Sequence, residues 1–176
     1  MNWTLTGAAS ALLGLAACSP ALNWRSVALP EAALTITLPC KPDHATRKVE
    51  LAGTPVDLSM VGCEADGATF AVSYATLADP AQVGVALTHW RSAMLARLGG
   101  AQATDAPFAP RNALPLPQSV RTAAQGRAAD GQAVTAQAVW FARPVGPQMR
   151  LYHAVVYAPK PRPEVADTFF AGLVLP

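Results

Sequence analysis

The chain has 176 residues, 52% of them apolar and 14% charged, with a formal net charge of +2. Those proportions exclude a disordered or fibrous polymer. So small a positive excess, with no run of four basic residues, gives no support for nucleic-acid binding.

The first predicted element is an apolar run from Trp3 to Leu15-Ala16-Ala17-Cys18. Residues 7–17 supply the apolar centre and small residues of a secretory signal. No Lys or Arg precedes Arg25, so only the α-amino group provides the positive start, as a misplaced start codon would leave it. A spanning helix needs about 20 predominantly apolar residues. Hydroxylated residues and glycines interrupt this run and Pro20 stops it, so an uncleaved anchor is the weaker reading.

The tetrapeptide 15–18 resembles a bacterial lipobox. The resemblance implies export, cleavage after residue 17, and a lipid anchor (palmitate among its acyl groups) on Cys18. Ser19, rather than Asp, follows the cysteine, which implies the periplasmic face of a Gram-negative outer membrane. Removing residues 1–17 leaves about 160 residues, enough for one domain with its own core. Residues 18–33, broken by Pro20 and Pro30, read as a tether, and 34–176 as the domain.

Leu34-Thr35-Ile36-Thr37-Leu38 alternates apolar and hydroxylated residues, a half-buried strand ended by Pro39. Val49 and Leu51 mark a short second strand, Gly53-Thr54-Pro55 a turn, and Val56, Leu58 and Met60 the inward positions of a third. Glu64-Ala65-Asp66-Gly67 is a hairpin connection by composition. Phe70, Val72 and Tyr74 follow on a core-facing strand. With Cys18 assigned to lipid, Cys40 and Cys63 remain as a pair, and an oxidising periplasm favours a disulfide between them. Two free thiols, or a metal site with His44, are the alternatives; a structural metal needs about four ligands.

Asp79-Pro80-Ala81-Gln82 has the form of a helix start, with a capping-box pattern. Val83, Leu87, Trp90, Met94 and Leu98 then recur at helical spacing, and Gly99-Gly100 ends the run. This stripe predicts a long helix over 80–98 packed on the sheet, with Trp90→Ala costing about 3–5 kcal/mol. Residues 103–118 carry Pro107, Pro110, Pro115 and Pro117 and read as a loop, and 119–129 as a weak strand. Asp130-Gly131 is a hairpin turn. Val134, Ala136, Ala138 and Trp140 share one face of the next strand, and Tyr152, Ala154 and Val156 one side of another over 149–158. A short helix over 164–171 and a final strand Leu173-Val174-Leu175 complete an α+β arrangement, an antiparallel sheet with one long and one short helix.

This element order, with the run Arg150–Tyr157 and the paired Phe169-Phe170 before Gly172-Leu173, resembles the PsbP-like α/β/α sandwich over about residues 34–175. Leu38-Pro39 matches the step that commonly ends the first strand of bacterial members, and Pro39-Cys40 with Gly62-Cys63 resembles lipoproteins of betaproteobacteria. The resemblance implies a binding or assembly factor without catalytic residues, so no functional residue is carried over.

The residues themselves point the same way. His44 falls in a polar turn, His89 beside the apolar stripe with no acidic residue three or four positions away, and His153 within a strand. A catalytic histidine needs a nucleophile or carboxylate within reach. No nucleophile elbow, phosphate-cradling loop or zinc motif is present in the sequence. Asp57, Glu64 and Asp66 suit hairpin ends better than a cation site, and Arg121, Arg127, Arg143 and Arg150 suit a solvated sheet face better than a basic stripe. The expectation is a non-catalytic envelope lipoprotein needing no cofactor and binding an envelope protein. The alternative is a small-ligand or lipid carrier with a pocket between sheet and helix.

Overall fold

Strand alternation extends through more of the chain than the pattern alone indicates. The computed structural model describes residues 21–176. Residues 1–17, read from the sequence as a leader, and Cys18 lie outside the described residues. β1 (Arg25–Leu29) and β2 (Leu34–Leu38) pair as an antiparallel hairpin across a 3-10 turn at Pro30–Ala32. β3 (Asp43–Leu51), β4 (Thr54–Ala65) and β5 (Ala68–Leu77) form a meander. After the helix α1 (Val83–Arg97), a second meander runs through β6 (Gln102–Pro107), β7 (Val120–Arg127), β8 (Ala133–Val145) and β9 (Gln148–Ala158). α2 (Pro163–Ala171) follows. The meanders join edge to edge as one antiparallel sheet in the order β3-β4-β5-β9-β8-β7-β6, an α+β arrangement.

Helix α1 is 15 residues, not the long helix expected. Both ends are set by local chemistry. The Asp79 carboxylate accepts the Ala81 N–H at 2.9 Å, and Pro80–Gln82 form a 3-10 turn before the helix proper. No reciprocal Gln82 bond completes the capping box. Gly99 and Gly100 take φ of 71° and 72°, a left-handed conformation open to glycine, and stop the helix.

The central strands are covered on both faces, so β8 and β9 are nearly continuously apolar at 138–142 and 151–156. On one face α2 and the β1–β2 hairpin pack over Phe70, Phe141 and Tyr152, with Leu22 and Trp24 against the same core. The Tyr152 hydroxyl donates to the Ala32 carbonyl at 2.6 Å and ties the hairpin down. On the other face α1 packs through Val83, Ala86, Leu87, Met94 and Leu98 over Trp140 and Leu151.

Cys40 and Cys63 are joined by a disulfide, with Cα atoms 5.9 Å apart. The bond staples the segment after β2 to β4. Closing about 24 residues of chain is worth roughly 3 kcal/mol on the chain-entropy model. The double variant Cys40→Ala/Cys63→Ala is therefore expected to lose about 2–4 kcal/mol in urea titration. A loss within error of zero would show that the hairpin docks without it.

Four local expectations are corrected. Residues 25–29, assigned to the tether, form β1; its apolar residues Val27, Ala28 and Leu29 run together before Pro30, so no alternation is visible. Residues 102–107, taken into the 103–118 loop, form the edge strand β6, almost wholly exposed and therefore polar. His44 belongs to a nine-residue β3 rather than a turn. Leu173-Val174-Leu175 makes a single antiparallel bridge, Val174 to Thr35, rather than a full strand. Next to that bridge Gly172 passes against Thr37 with no room for a side chain.

Candidate functional site

The three histidines are placed apart. His44 is exposed on β3, and His89 is exposed on α1, where its Nδ1 accepts the Ala52 N–H at 3.1 Å. His153 is buried on β9, directly opposite Ser73 of β5 and Trp140 of β8. Its ring lies 4.8 Å from the Trp140 ring in a stacked arrangement and 5.4 Å from that of Trp90. Burial pushes its pKa down to about 3, so the imidazole is neutral at pH 7. Its Nε2 and the Trp140 Nε1 have no hydrogen-bond partner.

His153 forms part of the floor of a cleft of about 330 Å³ between α1 and the sheet. The strand period of two dictates this floor: alternate residues of β3, β4, β5 and β9 point to the α1 face. Cross-strand register orders it in rows, Met60–Ser73–His153, then Ala71–Val155, then Thr69–Tyr157. Ala71 and Ser73 are small, and α1 meets the sheet chiefly over β3, β8 and β9, so the space above β4 and β5 stays open. Trp90, Ala93 and Met94 form the roof, while Val49, Leu51 and Leu58 form the far wall. The His89–Ala52 bond ties α1 to the β3–β4 turn at one end.

The cleft also explains two departures from the sequence reading. Met60, expected to point into the core, is 38% exposed because it borders this opening. Trp90, expected to be buried with the rest of its stripe, is only partly buried, since one side of its ring faces the cleft.

No protein-family model matches this chain, and no curated protein is significantly similar to it.

The charged candidates are dispersed. Asp57 pairs with Lys48 at 3.4 Å, both exposed, Asp66 pairs with Arg162, and Glu64 accepts from the Thr69 hydroxyl at 3.4 Å. Among the described residues no group of three metal-ligating side chains converges. Arg121 bonds Gln137 and Asp167 and lies over the Phe170 ring at 5.1 Å, an anchor for α2. Arg127 donates to the Gly131 carbonyl and Arg143 to that of Pro176. Arg150 is the cross-strand neighbour of Arg143. Arg121 and Arg127 thus have separate local settings, while Arg143 and Arg150 stand side by side.

The sequence pointed to the Trp90 stripe and to a gap beneath it as the carrier alternative. What it missed is the Ala71–Ser73 floor and the lodging of His153 in it. Small residues in a strand are a usable signal for such space, but only once the neighbouring strands are known.

Proposed function

We propose that this chain is a lipid-anchored envelope protein whose domain holds a small, mainly apolar ligand in the cleft beneath α1, without catalysis. The observation that carries the reading is the 330 Å³ cleft itself, lined chiefly by apolar side chains with a few polar groups. Its volume lies at the lower end of the range for ligand pockets, about 300–1,000 Å³.

The partner-binding reading draws less support. Among the described residues the exposed large apolar side chains are Met60, Val85 and Val174, on three separate elements. A docking face normally presents a contiguous apolar patch. The anchoring half of the proposal rests on the lipobox resemblance at 15–18, and the PsbP-like relationship on a sheet covered on both faces by helices.

The cleft is tested with a neutral apolar dye, N-phenyl-1-naphthylamine, titrated into the full chain. Saturable binding is expected, lost in Ala71→Leu, which fills the floor, while the far-ultraviolet spectrum is unchanged. Dye binding that is unsaturable, or unaffected by the filled floor, would overturn the reading. For the anchor, Cys18→Ala is expected to move the protein from the membrane to the soluble fraction.

A further inference from the structure

We infer that the ligand is a single-chain amphipath with one terminal anionic group, held at the Arg97–Tyr157 mouth of the cleft. The inference rests on the cleft being a ligand site and adds the ligand's class.

At the β3–β4 turn end the cleft is walled by Val49, Leu51 and Leu58, with Arg47, Glu50 and His89 bordering the same end. The register then passes through Ser73 and His153 to Ala71 and Val155, and ends at Thr69 and Tyr157. Arg97, in the last turn of α1, lines the cleft together with that final row. Arg97 is close enough to Tyr157 for its charge to oppose the effect of burial, which raises the phenol above its ordinary pKa. A guanidinium and a phenol therefore line the same end of the cleft, two donors suited to a carboxylate or phosphate oxygen.

Charge complementarity favours an anion. Arg47 and Arg97 both line the cleft, and neither has an acidic partner within 4 Å among the described residues. Glu50 also borders it, but strand alternation sends its side chain to the opposite face from Arg47, Val49 and Leu51. Glu64, in the row of Thr69, accepts from the Thr69 hydroxyl and is not part of the lining. Arg97 also complements the negative end of the α1 dipole. That end carries about half a unit of charge, so a full positive charge remains dominant there.

The volume limits the apolar part. About 330 Å³ admits one chain or one small ring system, not a two-chain lipid.

The test is displacement of bound N-phenyl-1-naphthylamine from the full chain by dodecanoate, dodecyl phosphate and dodecanol. At least one of the two anions is expected to displace the dye at a tenfold lower concentration than dodecanol. Whichever anion does so identifies the carboxylate or phosphate source. Arg97→Gln is expected to remove that preference, with each displacement read relative to the variant's own dye affinity. Equal displacement by all three compounds, or a preference that survives Arg97→Gln, overturns the anionic class and leaves the cleft standing. Failure of the neutral dye to bind the wild-type chain saturably overturns the cleft reading and this inference with it.

Discussion

Between pH 6.5 and about 3, each unit of acidification is expected to cost the fold about 1.4 kcal/mol through His153 alone. The folded chain holds this imidazole neutral, with a pKa lowered from 6.5 to about 3 by burial. The unfolded chain takes up the proton from pH 6.5 downward, so it binds more protons than the native state across the whole window. Stability is then full above pH 6.5 and falls as the pH drops toward 3. In the extreme the term reaches about 5 kcal/mol, a large share of the 5–15 kcal/mol typical of a domain. His153→Phe keeps a ring between Trp90 and Trp140 and removes both the titration and the partnerless Nε2. Urea titrations at pH 7 and pH 4.5 should show the wild type losing about 2–3 kcal/mol more than the variant. Equal acid losses in the two proteins would mean that His153 is protonated in the native state or solvated.

The two tryptophans that flank this histidine are expected to behave very differently. Trp140 is fully buried at the centre of the sheet, so Trp140→Ala should cost about 3–5 kcal/mol through lost burial and a cavity. Trp90 has cleft on one side, and Trp90→Ala should cost about 1–2 kcal/mol, below the value expected from its place in the helical stripe. Its larger effect should be on dye binding, since it forms part of the roof. Denaturant midpoints for both variants, alongside the dye titration, separate the two roles. Equal stability losses would place Trp90 in the core and close the cleft.

Elements with a strong local signature were legible in the sequence. The 34–38 alternation, the Asp79-Pro80 start, the Asp130-Gly131 turn and the proline-led α2 all rest on chemistry within a few residues. What could not be read depends on partners far along the chain. β6 is a strand because β7 lies beside it, and β1 because β2 does. The Cys40–Cys63 bond was legible by counting, whereas its role in fixing the hairpin segment to the sheet was not. Ala71 and Ser73 look like ordinary strand residues until register sets them opposite Val155 and His153. The cleft is a property of that juxtaposition, and no periodicity announces it.

The seam between β5 and β9 bears on how the chain reaches this state. It pairs Phe70 with Val156 and Leu77 with Met149, so the two meanders meet only when nearly the whole polypeptide is present. During synthesis, β5 waits with one edge of unpaired backbone N–H and C=O groups bare. Sheets closed by such distant pairings fold slowly, in milliseconds to seconds, because loop-closure entropy must be overcome before the contacts that offset it can form. An intermediate with β3–β5 formed and β9 absent is the species most exposed to association with other chains. For this fold, protection of a nascent edge matters as much as the stability of the finished sheet.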